Sequence, residues 1–420
     1  MRTSLFAPLQ LAATAFLLAQ GIVASPILDR RATCTHGVWR CNDSGSALQQ
    51  CSYNAAGSLD WIDISVCPSN TVCSLAVYGC VAGVPSKPST TTAAKTTTSA
   101  AVVTTTSKPV ATTGQPPVTT SQPPSSSVVP APPLPAVKKV IYIDNTAGAL
   151  TGANLAVPGY ADNDYNIVII GFWLDQGPWD SAVSWVNLEP AVRQSYINAY
   201  HSAGKRVLVA AFGAAEWPTS ANVNPVDSAN KLAAFVKQYG LDGADIDWED
   251  NNSLQAGTGE AWLISFQRQL RSLLPSPQYT ITHAPQAPYF IGNTNIYPNG
   301  GYLAIDKAVG STIDFYNIQF YNQGPSTRYD TCTTLLSVSG GDWPGTSVFE
   351  MSAKGIPLDK IVIGKPITSA GAANTGTMAV GDLAACLREA KGKGWHAGVF
   401  GWQFTLDPSG SWIKQLSGSL

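Results

Sequence analysis

The sequence predicts an α/β protein whose main part is a closed (β/α)8 TIM barrel over residues 137–420, preceded by a small disulfide-rich N-terminal module at 32–83 on a Ser/Thr/Pro-rich linker at 84–136. Three observations predict it. Eight short β-branched runs alternate with amphipathic helical stretches through the C-terminal part. Six of the eight cysteines (Cys34, Cys41, Cys51, Cys67, Cys73 and Cys80) crowd into one short segment ahead of it. Between the two lies a tract with no aromatic residue and only Lys87, Lys95 and Lys108 as charges, which cannot bury a core. A chain of 420 residues is long enough for one large core and an accessory module.

The elements follow in order. Arg2, the apolar stretch Leu11 to Val23 and the small residues Ala24 and Ser25 have the layout of a secretory signal peptide at 1–25. Gln20 and Gly21 interrupt the stretch, which is too short for a membrane anchor. Arg30 and Arg31 mark 26–31 as a candidate propeptide, and the expected location is extracellular or in a cell wall. Six clustered cysteines in an exported chain suggest three disulfides, and 15 connectivities remain open. A zinc site is the weaker reading, because paired CxxC knuckles are missing. The Ser/Thr/Pro tract reads as an extended, O-glycosylated tether.

The predicted strands are Val140 to Asp144, Ile167 to Phe172, Arg206 to Phe212, Ala244 to Trp248, Tyr279 to His283, Phe315 to Tyr321, Ile361 to Pro366 and Ala397 to Trp402. Helical patterns at Glu189 to His201, Val226 to Tyr239, Glu260 to Leu274 and Asp382 to Lys391 alternate with them. Eight such units fit a barrel better than an open doubly wound sheet. A nucleotide-binding sheet would need a glycine-rich phosphate loop after its first strand, and Asp144-Asn145-Thr146-Ala147-Gly148 is not one, so no cofactor is expected. Charged residues are only 12%, Lys+Arg 25 nearly balances Asp+Glu 27, and no basic block occurs. That composition argues against nucleic acid and anionic membranes as partners. Cys332 and Cys386 are the only barrel cysteines, either a disulfide or two buried thiols.

The fourth strand runs Asp242-Gly243-Ala244-Asp245-Ile246-Asp247-Trp248-Glu249-Asp250, a concentration of acid in a chain with few charges. Because strand side chains alternate, Asp245, Asp247 and Glu249 share one face and Ile246 and Trp248 the other. In a barrel the shared face is the interior, and Glu249 falls at the C-terminal mouth where barrel active sites lie. Like charges facing one lumen do not all ionise near neutral pH, so one proton should stay and provide a general acid. A structural cation is the rival reading, but three carboxylates along one strand are too linear to surround an ion, so no metal is expected.

Asp242-x-x-Asp245-x-Asp247-x-Glu249 resembles the DxxDxDxE signature of family 18 glycoside hydrolases, the chitinases and their relatives. Ala284-Pro285-Gln286, Gln319-Phe320-Tyr321-Asn322 and Gly401-Trp402, at the ends of strands five, six and eight, look like the plant and fungal class III pattern. The resemblance covers 137–420. Cys34, Cys41, Cys51, Trp61, Cys67 and Cys73 in order are similar to a fungal chitin-binding module of carbohydrate-binding family 19, in which Trp39 and Trp61 would stack on sugar rings, with Tyr53 and Tyr78 as further candidates. The chain departs from the family at Ala211-Phe212-Gly213-Ala214, where SxGG is usual, which puts the surroundings of Asp245 in question.

The resemblance implies a secreted, monomeric endochitinase acting on chitin or chito-oligosaccharides with retention, the substrate's 2-acetamido oxygen being the nucleophile. It assigns Glu249 as acid and base, Asp247 as stabiliser of the oxazolinium, Asp245 as its proton-sharing neighbour and Tyr321 as donor to the acetamido oxygen. Asp242, Gln319, Asn322, Gln286, Trp402 and Trp217 are the implied substrate-side residues. Trp173 and Tyr289 rank below them as cleft candidates. An endo-β-N-acetylglucosaminidase cutting N-glycan cores and a non-catalytic chitin lectin are the alternatives; the intact Glu249 opposes the second. Asn42 and Asn251 head glycosylation sequons, and Asn251 is expected to stay bare because a glycan there would crowd the mouth.

Overall fold

Eight parallel strands close on themselves: β1 (Lys138–Ile143), β2 (Ile167–Leu174), β3 (Arg206–Gly213), β4 (Gly243–Trp248), β5 (Thr280–His283), β6 (Phe315–Gln319), β7 (Ile361–Pro366) and β8 (Gly398–Trp402). Each pairs with its neighbours in sequence, and β8 returns to β1 with Gly401 opposite Ile141. Almost every strand residue is buried, because a parallel sheet wrapped by helices is covered on both faces. The predicted strands lie within two residues of these bounds. The computed structural model describes residues 39–53, 59–67, 71–74, 79–82, 128–144 and 163–420. The expected signal peptide, propeptide, Tyr78 and nearly all of the tether lie outside the described residues.

Helices Pro190–Ser202, Pro225–Gln238, Gly259–Leu273 and Val380–Gly392 occupy the predicted stretches. Two begin with proline at the first turn, and Asn224 caps the second by accepting from Val226 N and Asp227 N. Gly243 opens β4 with φ 153°, and a Cβ there would lie 1.8 Å from Thr280 O, so only glycine lets β4 and β5 approach. Cys332 and Cys386 form a disulfide, with Cα atoms 4.9 Å apart.

The chain divides into two compact units, 1–117 and 118–420. Residues 128–136, read from sequence as the end of the tether, lie against the base of the barrel. Val129 N donates to Asn198 Oδ1 (2.9 Å), Pro132 O accepts from Arg206 Nε (2.8 Å), and Leu134 packs on the core. Low charge and the absence of aromatics conceal such backbone contacts from a compositional reading. In the smaller unit, Trp39–Cys41, Ala47–Tyr53 and Leu59–Val66 form an antiparallel sheet, Thr71–Ser74 pairs with Gly79–Ala82, and a disulfide joins Cys41 to Cys73. The Arg40 guanidinium lies 4.3 Å from the Trp61 ring centroid and donates to Gln49 Oε1, so part of that indole is covered. Among the described residues, no helix is long and apolar enough to cross a membrane.

Candidate active site

β4 carries Asp245 and Asp247 into the barrel, while Ile246 and Trp248 point to the helices; Trp248 Nε1 donates to Thr219 Oγ1 (3.2 Å). Asp245, fully buried, accepts from Tyr142 of β1 (2.8 Å), Thr282 of β5 (2.5 Å) and Asn317 of β6 (3.0 Å). Burial raises its pKa and the three donors oppose that rise. One layer above, burial pushes Asp247 well above the usual carboxylate range, with the negative charges of Glu249 and Asp245 adding to it. Burial also raises Glu249, against hydrogen bonds from Gln319, Gln286 and Asp247. The Asp247 and Glu249 carboxyls accept from the same Gln319 Nε2, and two carboxylates held so close in a buried site resist ionising together.

Gln319 at the end of β6 ties the pair together. Its Nε2 donates to Asp247 Oδ1 (3.0 Å), Glu249 Oε1 (2.9 Å) and Ala284 O (3.0 Å). Gln286 reaches Glu249 from the segment after β5, which bridges to Gln319. Tyr321 is 5% exposed; burial, then the fields of Asp247 and Glu249, hold its phenol well above its usual pKa, so its hydroxyl remains a donor. Trp402, at the end of β8, is partly exposed and lies 5.7 Å from Tyr142 and 6.3 Å from Phe172, centroid to centroid.

Several other residues expected at the mouth are engaged in holding the fold. Asp242 lies at the opposite end of β4, roughly 23 Å of extended chain from Glu249. There its carboxylate accepts from Val207 N (2.7 Å) and contacts His201 Nε2 (3.0 Å), so it anchors the barrel base. Asn322 Oδ1 accepts from Ala373 N and Asn374 N and thereby holds a loop. Trp173 and Tyr289 are core residues: one packs edge-on to Phe212, the other stacks on Tyr302 and donates to Asn251 Oδ1. Trp217 is 56% exposed on the segment after β3. Asn251 Nδ2 donates to Glu249 O, so both ends of its amide are engaged. Ala211 pairs with outward-facing Ile246, and Asp245 already has three donors where the missing serine hydroxyl was at issue.

The sequence reading missed Tyr142, Thr282 and Asn317. Each sits at an inward position of its strand, so alternation alone contained the signal. It also gave no sign of the part played by Asp250, whose carboxylate accepts from Ser220 N (2.6 Å), Ser220 Oγ (2.6 Å) and Ser253 N (3.3 Å), capping helix Asn251–Gln255. Asn in its place would set an amide N–H against a donor. Asp250→Asn is therefore expected to lower stability by about 1–3 kcal/mol, read in urea or thermal unfolding, while kcat stays within about twofold of wild type where both are folded.

A barrel with paired carboxylates at the C-terminal end of β4 fits the glycoside hydrolases. The model for glycosyl hydrolases family 18 matches residues 187–412, more than half the chain, and the protein belongs to that family. It is 26% identical over 216 residues to a chitinase of Enterococcus faecalis; the match covers 48% of this chain and 60% of that relative. Its structure resembles that of a GH18 chitinase from Pseudoalteromonas aurantia, with TM-score 0.56 and 26% identity over 67% of this chain and 100% of that one. A GH18 chitinase from Chromobacterium violaceum shares the fold at TM-score 0.52 and 20% identity, over 69% of this chain and 84% of that one.

Proposed function

We propose that the protein is a secreted class III-type endochitinase that cuts β-1,4 linkages between N-acetylglucosamine units with retention. The observation that carries the mechanism is that one amide, Gln319 Nε2, bonds both Asp247 Oδ1 (3.0 Å) and Glu249 Oε1 (2.9 Å), two carboxyls on the same face of one strand. Two carboxyls side by side on one strand face do not flank a sugar from opposite sides, as an acid and a separate enzyme nucleophile must. The substrate's own acetamido oxygen fills the vacant role.

In this reading Glu249 gives its proton to the glycosidic oxygen, the C1–O bond breaks, and the acetamido oxygen bonds to C1. Asp247 accepts from the acetamido N–H and stabilises the cationic ring, the Tyr321 hydroxyl donates to the acetamido oxygen, and Trp402 provides an apolar floor. Water then attacks C1 as Glu249 takes its proton and the bond from C1 to the acetamido oxygen breaks, and the second inversion restores the original anomer. Gln319 keeps the two acids in register; Gln286 borders Glu249, and Trp217 is available to an extended chain. Incubation with colloidal chitin and, separately, a high-mannose glycoprotein tests the substrate. Products with the masses of N-acetylglucosamine oligomers support the chitinase; released N-glycans alone would make it an endo-β-N-acetylglucosaminidase.

Fully deacetylated chitosan and cellulose offer no acetamido nucleophile, so neither should be cut, and a thiazoline mimic of the cyclic intermediate should inhibit competitively. Robust cleavage of either polymer contradicts the mechanism. The smaller unit is proposed to bind chitin through Trp39 and the uncovered part of Trp61 and to work as a tethered monomer's surface anchor. Deleting residues 32–127, which leaves the segment bonded to the barrel base intact, should lower the rate on crystalline chitin and not on soluble oligomers, because only an insoluble surface rewards effective concentration. Equal losses on both substrates would make the unit part of the barrel's fold.

A further inference from the structure

Lys365 is the buried cation that the catalytic reading leaves unused. It sits near the end of β7, 1% exposed, and its ammonium donates to three backbone carbonyls: Phe320 O (2.8 Å), Tyr329 O (2.5 Å) and Gly376 O (3.0 Å). Three N–H donors meet three acceptors, which satisfies the charge without a carboxylate in contact. Burial lowers its pKa to about 7, with Asp330 opposing, and Asp330 is itself paired with Arg328 (2.6 Å). A hydrophobic side chain would fill the same place without that desolvation cost, so the cation points to a task.

The three carbonyls identify it. Phe320 O belongs to the peptide bond that carries Tyr321. Gly376 has φ 100°, and a Cβ there would lie 2.4 Å from Tyr321 Cα, so the loop presses on the tyrosine backbone at a point only glycine allows. Asn322, at φ 63°, clasps the same loop: Oδ1 accepts from Ala373 N and Asn374 N, and its N–H donates to Thr375 O (2.8 Å). Gln323 Nε2 donates to Tyr321 O (2.6 Å). We propose that Lys365, acting with the 373–376 loop, is a positioning residue that fixes Tyr321 at the height where its hydroxyl meets the substrate's acetamido oxygen. Lys365 touches no substrate. This inference rests on the proposed role of Tyr321.

The test is a pair of double-mutant cycles on chitohexaose in the full-length protein: Lys365→Met and Gly376→Ala, each alone and combined with Tyr321→Phe. Misplacing a reacting group by about 1 Å costs up to about 100-fold, so each single variant should lose about 10- to 100-fold in kcat with KM within about threefold. Each double variant should be no slower than Tyr321→Phe by more than about threefold, because the misplaced hydroxyl is already gone. Folded Lys365→Met with wild-type kcat, or losses that multiply in the doubles, would overturn the proposal. Where Lys365→Met does not fold, Lys365→Gln replaces it and Gly376→Ala tests the mount from its other side. Tyr321→Phe at wild-type kcat would instead refute the role of Tyr321 itself, which separates the two failures.

Discussion

Glu249→Gln is expected to abolish nearly all hydrolysis while leaving chito-oligosaccharide binding intact. The amide matches the carboxyl in shape and still accepts from Gln319, whose Nε2 lies 2.9 Å from Oε1 in the wild type. What it cannot do is release a proton to the glycosidic oxygen or take one from water. General acid–base catalysis contributes about 10²–10⁴-fold per step, and Glu249 serves both steps, so the loss should exceed about 10³-fold in kcat. Single-turnover cleavage and binding of chitotetraose, measured on one preparation, separate the two properties. Activity within about tenfold of wild type would remove Glu249 from the proposed role.

Asp247→Asn is expected to cost about 10²–10³-fold in kcat, because a group able to carry negative charge beneath the developing cation is lost. The same substitution should stabilise the fold at neutral pH. Burial and the neighbouring carboxylates raise the folded-state pKa of Asp247, whereas an unfolded aspartate titrates near about 3.9. Above that value the unfolded chain releases a proton that the folded chain retains or surrenders only at a cost. Wild-type stability therefore falls as pH rises from about 4 through the raised folded pKa. Asparagine removes this liability, so its gain in Tm should be largest near pH 7 and shrink toward pH 4. A gain that is independent of pH would contradict the raised folded-state pKa of Asp247.

The barrel was legible because β-branched runs recur with helical spacers between them, and the acidic strand because alternation puts Asp245, Asp247 and Glu249 on one face. What sequence concealed depends on which distant segments meet. Asp242 belongs to the same motif as Glu249, yet seven residues of extended chain carry it to the barrel base and to His201. Asp250 acquires its value from Ser220, thirty positions earlier, and Lys365 from carbonyls of two separate loops. Main-chain acceptors carry no sequence signal. Trp173 and Tyr289 show the converse: an aromatic after a strand serves core or cleft according to where the following turn aims it.

The central claim is that C1 is displaced twice, first by the substrate's acetamido group, held by Asp247 and Tyr321, and then by water, with Glu249 as acid and base. Proton NMR of chitohexaose hydrolysis within the first minutes, before mutarotation, tests it most directly. The account predicts products whose new reducing ends are the β-anomer, from two inversions at C1. Initial formation of the α-anomer would mean a single displacement by water and would contradict it.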